Sequence, residues 1–381
     1  MKLWIEVAHH SLAGAKPTAA PEAACGDVVR TFQTEEQFFA ILASSQQGGE
    51  EGKAKATALA NRAASMLQQG TSLDEVTDIA LAALPAGVHM PLAILQVLEG
   101  RQAHLLDCDA PPLFLTRGGR LVLPPVLEEP SAGRLVRRGE FQLQDGDHLA
   151  MVSEGYIRAR GWSRRWGWRD IATSTRRLTD TGCDAEQLLG ALVRMHHRLA
   201  EGKLGRDITV IAMHVRPMRS ATVWTGPPAD LAQDEAVVEQ LMAEQGTRII
   251  CGDTTAQIAA RLLGADLELE SRPEDGWAEV PPRLHMEGVD LVTEGLVTLG
   301  KARQRMVGAK RASDLPRGED AATRLARSLL WADKIHFIVG LAVNPQQAAD
   351  AAGTIPLRQI VIEELISDLK ARGKIVPVEY L

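Results

Sequence analysis

Two segments of the chain set carboxylates at the ends of short apolar runs. Residues 145–155 read Asp-Gly-Asp-His-Leu-Ala-Met-Val-Ser-Glu-Gly, and residues 205–212 read Gly-Arg-Asp-Ile-Thr-Val-Ile-Ala. Asp147 precedes the run Leu149–Val152, Glu154 follows it, and Asp207 precedes Ile208–Val215. Acidic residues at strand ends converge readily on one rim of a sheet, where their oxygens can hold a hard divalent cation. The competing reading is that they are turn residues closing strands, a common use of Asp and Gly.

The wording of the segments separates the two. "GDHLAMVSEGYIRA" resembles the "GD-x-L-x-L-x-(S/T)-D-G" segment of the metal-dependent protein phosphatases of type 2C, and within them the bacterial sporulation stage II protein E branch. "GRDITVIAMHV" resembles that branch's closing "D-D-x-T-V-V" strand, and "CGDVVRTF" its opening "GD" strand. "FFAILASS" falls where "L-x-x-A-D-G-x-G-x-G" is expected. The four segments stand in the family's order over residues 1–217. The resemblance implies an αββα sandwich, manganese or magnesium as cofactor, and Asp27, Glu154 and Asp207 as metal ligands.

The chain departs from the family where the chemistry would occur. Ser44 and Ser45 stand in place of the Asp that bridges two metal ions and the Gly that follows it. Arg206 replaces the first Asp of the closing pair, and Glu154 replaces another ligand Asp. Hard cations are selected by carboxylate number and geometry, and a neutral hydroxyl is a poor substitute. Without two metals there is no bridging water of low pKa and no clamp on the developing charge. Arg206 brings a guanidinium that competes for a neighbouring carboxylate.

Composition bounds the remaining choices. The chain has 381 residues, 45% hydrophobic and 24% charged, with a net charge of −7. This is a globular composition of about two domains, and the negative balance argues against a nucleic-acid surface. No apolar run is long enough to span a membrane, so cytoplasm is the default expectation. Cys25, Cys108, Cys183 and Cys251 are scattered without a C-x-x-C pair, which fits small buried residues better than zinc ligands or a disulfide framework. Residues 158–169 interleave Arg with Trp, a pattern that suits either a docking loop or a solvated edge. The pair His196-His197 lies on an expected helix, where adjacent residues diverge too far to share one ion, and a surface role is expected.

Periodicity supplies the elements. Strands are expected at Leu3–Ala8, Asp27–Phe32, Phe38–Ala43, Ala93–Leu98, Ala103–Leu106, Leu113–Thr116 and Arg120–Leu123. Helices are expected from about Gly52 to Gln69, from Ser72 to Ala83 behind a Ser-Leu-Asp-Glu capping box, and at Trp168–Leu178 and Ala185–Ala200. Three prolines between Pro217 and Pro228 read as a linker, 218–228. Beyond it helices alternate with strands, Thr247–Cys251, Ala265–Leu269, Val289–Val292, Ile335–Val339 and Ile375–Glu379. That pattern makes 229–381 a three-layer α/β domain.

This half offers a second candidate site. Gly252, Asp253, Thr254 and Thr255 follow one strand directly into a helix, and Thr293 and Glu294 stand at another such turn. Side by side at the carboxyl edge of a parallel sheet, the turns would frame a ligand crevice. Helix N-termini favour an anion, whereas Asp253 and Glu294 favour a hydroxyl-bearing or cationic ligand. Simple helix capping is the alternative.

Two functions stay open on the sequence. One is a metal-dependent serine/threonine phosphoprotein phosphatase with impaired hydrolysis. The other is a pseudophosphatase that binds a phosphoprotein or regulatory protein partner as regulator or scaffold.

Overall fold

The structure, a computed structural model, describes residues 2–14, 25–45, 49–84, 89–157, 168–180, 182–200, 206–270, 280–342 and 357–381. The Arg- and Trp-rich stretch lies almost wholly outside the described residues. The chain divides into two units, Met1–Pro217 and Met218–Leu381.

The first unit is built on two antiparallel sheets. One has five strands, in the order Leu3–Leu12, Ile208–Pro217, His148–Val152, Phe114–Arg117 and Arg120–Val122. The other has six, in the order Val28–Gln33, Gln37–Ala43, Leu92–Leu98, Gln102–Cys108, Arg134–Gln142 and Val126–Ser131. Ile5, Phe38, Leu42, Leu95, Leu149, Met151 and Ile211 fill the space between the sheets. The alternate residues of the same strands face outward onto helices. Phe39, Ile41 and Ile94 meet Ala60, Ala63, Leu67 and Val76 of helices Gly49–Gln68 and Leu73–Ala82. Val152, Val210 and Phe114 meet Ile171, Leu188 and Leu192 of helices Trp168–Asp180 and Ala185–Leu199. Strands covered on both faces need apolar residues at consecutive positions, and "FFAILA" and "LAMV" supply them. The result is the αββα sandwich.

Caps fix the helix starts. The Ser72 side chain accepts from Glu75 N, and Asp184 and Gln187 form a reciprocal capping box. His196, expected at the surface, is buried beside the Tyr156 ring, 5.2 Å away, because it lies on the sheet-facing side of its helix.

The second unit has seven strands, in the order Glu268–Leu269, Leu284–Met286, Val289–Thr293, Thr247–Cys251, Ser220–Thr225, Lys334–Val339 and Val378–Tyr380. The last five in that order run parallel. Helices Asp234–Ala243 and Asp253–Leu263 pack on one face with Trp224, Ile250 and Val292. Helices Leu296–Met306, Ala321–Trp331 and Leu357–Ala371 pack on the other with Val223, Ile249 and Phe337. Three layers result.

The expected linker 218–228 is corrected here. Its centre is the strand Ser220–Thr225, paired on both sides and buried from Ala221 to Thr225. The prolines bound a core strand and do not mark a spacer; Pro217 closes the strand before it, and Gly226-Pro227-Pro228 ends it. The expected strand Ala265–Leu269 is reduced to Glu268–Leu269, and the final strand begins at Val378 and not at Ile375.

Candidate functional site

The ends of His148–Val152 and Ile208–Pro217 form the rim that the acidic segments pointed to. Ser153 follows the first strand, and its N–H donates to Thr209 O at 2.9 Å. In return Thr209 N donates to Ser153 Oγ at 2.9 Å. Gly155 then turns the chain tightly against the second strand. A Cβ there would lie 2.0 Å from Asp207 O, so only glycine fits.

Asp207 stands at the head of this strand, but its carboxylate is already engaged. Gly14 N and Gly26 N donate to its two oxygens, each at 2.7 Å. Two backbone amides on one carboxylate are strong, charge-assisted partners. They tie the chain after the first strand and the chain before the second to the closing strand.

Asp27 lies one residue beyond Gly26 and is buried, 8% exposed. Burial raises its pKa above the ordinary carboxylate value, and the Asp207 charge adds to the rise. The hydroxyls of Thr209, Ser153 and Ser44 surround it and oppose the rise. One oxygen, Oδ2, is buried without a hydrogen-bond partner. Ser44, itself buried, is fixed by its N–H donating to Pro91 O at 2.9 Å, and Ser45 is buried next to it. Burial and the Asp27 charge push the neighbouring Cys25 thiol up to about 11, which keeps it protonated near neutrality and unsuited to redox sensing. Burial likewise pushes Cys251 up to about 12.

Glu154 accepts from Arg206 Nη1 at 3.2 Å. The guanidinium thus takes the charge-balancing place beside a carboxylate that the sequence assigned to a metal. Asp147, the second acid of the segment 145–155, sits at the far end of its strand. Arg117 grips it from two nitrogens at 2.7 Å each, and Gln144 N donates to it at 2.8 Å. The carboxylate is fully buried and its arginine partner half-buried, a structural ion pair.

The structure therefore brings Asp27, Ser44, Glu154, Arg206 and Asp207 to one rim, where Asp207 and Glu154 already have hydrogen-bond donors. Among the described residues no group of three or more acidic, histidine or cysteine side chains is placed to hold a metal ion. Asp207 is occupied by amides, Glu154 by arginine, and only Oδ2 of Asp27 is open. Magnesium keeps several waters and is held by one or two carboxylates, so a cation here would draw Asp207 or Glu154 away from these donors or rest on Asp27. Sequence reasoning missed the roles of Gly14, Gly26, Ser153 and Thr209. Ser153 and Thr209 lay inside the two quoted segments.

In the second unit the two strand-end turns do meet. Cys251 pairs with Thr293, and Gly252 N donates to Thr293 O at 2.9 Å. Asp253 and Thr254 are exposed, Thr255 and Thr293 are buried, and Glu294 is half-buried.

No family model matches the chain. No curated protein matches it. Solved structures do. The phosphatase domain of the cell fate determinant SpoIIE from Bacillus subtilis is 15% identical, covering 56% of this chain and 93% of that one, with a TM-score of 0.41. The RsbU and RsbW domains of Rv1364c from Mycobacterium tuberculosis are 17% identical, covering 69% and 70%, with a TM-score of 0.46. The phosphatase domain of SiaA from Pseudomonas aeruginosa is 16% identical, covering 54% and 84%, with a TM-score of 0.43. At such identities the likeness is one of fold. In Met1–Pro217 two antiparallel sheets lie face to face between two helix pairs, and it is to these phosphatase domains that the chain is similar.

Proposed function

We propose that the N-terminal unit is a pseudophosphatase: a type 2C fold that binds a phosphoprotein or regulatory protein and does not hydrolyse phosphate monoesters at an enzymatic rate. The observation that carries this reading is the occupation of the rim carboxylates by the protein's own donors. Asp207 holds two backbone amides and Glu154 holds Arg206. A nucleophilic metal-bound water needs a metal whose ligands are free to take it, and these are committed elsewhere. The Arg206 guanidinium, planar, permanently charged and partly exposed beside Glu154, suits recognition of an oxyanion.

Manganese titration by calorimetry, with a phosphopeptide hydrolysis assay on the same protein, tests the proposal. Turnover at about 1 s⁻¹ or faster, within the ordinary enzyme range, would refute it. The triple variant Ser44→Asp, Ser45→Gly, Arg206→Asp restores the family's acids and should bind manganese at least about tenfold more tightly than the unaltered chain.

A further inference from the structure

The parallel strands Thr247–Cys251 and Val289–Thr293 end side by side, and each passes through a glycine into a helix of 11 residues. The two turns repeat one pattern, Gly-x-x-Thr, from Gly252 to Thr255 and from Gly295 to Thr298. Both glycines stand at φ 140°, a backbone that glycine alone adopts without strain. They also pack on one another, since a Cβ on Gly295 would lie 3.3 Å from Gly252 Cα. The first helix then runs onto one face of the sheet and the second onto the other. Turns that part in this way at the carboxyl edge of an open α/β sheet leave a crevice between them.

Two independent features of this junction point to a ligand. Glycine offers no side chain to the first-turn N–H groups, and neither helix start has a side-chain cap. Two uncapped N-termini therefore present donors and partial positive charge together. The second feature is a group of buried polar atoms without partners. Thr255 Oγ1, Thr298 Oγ1 and Glu294 Oε2 have no hydrogen-bond partner among the described residues. Thr255 is 1% exposed and Thr298 is 0% exposed. Thr293 Oγ1 also lacks a well-placed partner, although it lies against the Cys251 thiol. Buried polar atoms are nearly always paired, so their concentration at one junction is informative. Thr255 Oγ1 is turned back towards the glycine, 2.9 Å from where a Gly252 Cβ would be.

Glu294 decides the class of ligand. A bare oxyanion on the helix starts would sit against its carboxylate, and Asp253 adds a second negative charge at the edge. A molecule that carries an anionic and a cationic group answers both halves. We infer that the junction binds a small zwitterion of the amino-acid type, with its carboxylate on the uncapped N–H groups and its ammonium on Glu294. The threonine hydroxyls can rotate to donate to the same carboxylate.

The test uses the full chain and calorimetric titration with the common L-amino acids, acetate, methylammonium and inorganic phosphate, each to about 10 mM. At least one amino acid should bind, and acetate and methylammonium should bind at least about tenfold more weakly. Glu294→Gln should weaken that amino acid about tenfold or more, because a charge-assisted bond becomes a neutral one. Thr298→Val keeps the shape and removes an unpaired hydroxyl. It should raise the melting temperature of the unliganded protein and still weaken binding. Binding of no amino acid, binding of phosphate alone, or unchanged affinity in both variants would overturn the inference.

Discussion

The carboxyl of Asp27 is held among hydroxyls, with burial pushing its pKa upward. In the unfolded chain the same group titrates near the ordinary value of about 4. Folding therefore takes up a proton between the two values, and stability falls as pH rises through that window. Asp27→Asn cannot ionise. It should melt above the unaltered protein at neutral pH, and the gap should close as pH is lowered towards about 4. Thermal unfolding across that range checks the sign; a gap that widens on acidification would mean that Asp27 is stabilised as a carboxylate. Gly155 makes a second prediction at this scale. Its position against Asp207 O has no space for a methyl group, so Gly155→Ala should destabilise the N-terminal unit by about 2 kcal/mol or more in urea unfolding.

At the scale of elements, Ser220–Thr225 is the most instructive. Trp224 is 0% exposed in the middle of a parallel sheet, so Trp224→Ala should cost about 3–5 kcal/mol. A spacer residue would cost almost nothing, and urea unfolding decides between them. The sequence concealed this strand because prolines and glycine crowd its ends, and those residues mark linkers as well as strand boundaries. Continuous apolar runs such as "FFAILA" were legible because both faces of their sheet are covered. The hairpin Val126–Ser131 and Arg134–Gln142 was not, since its outer strand is exposed at every residue but Ser131 and has no apolar alternation. The rim was half legible in the same way. Short motifs showed which residues gather there. They could not show that amides of Gly14 and Gly26 reach Asp207 across 193 and 181 residues of sequence. Local patterns carry no record of such distant partners.

For the whole molecule, each unit has its own hydrophobic interior. The cores of Met1–Pro217 and Met218–Leu381 draw their described residues from one unit each. Calorimetry should therefore resolve two unfolding transitions, a departure from single two-state behaviour, and Trp224→Ala should shift only one. Among the described residues no helix is long and apolar enough to cross a membrane.

The pairing of Leu3–Leu12 with Ile208–Pro217, which matches Leu3 to Pro217 and Leu12 to Ile208, has a consequence for biosynthesis. A ribosome releases the first of these strands about 200 residues before its partner, a delay of about 10 s or more at ordinary elongation rates. During that interval the five-stranded sheet lacks its inner strand, and a hydrogen-bonding edge stays open to other chains. Nascent copies are thus at greatest risk of aggregation before residue 217 is made, and crowding of ribosomes on one message should sharpen it.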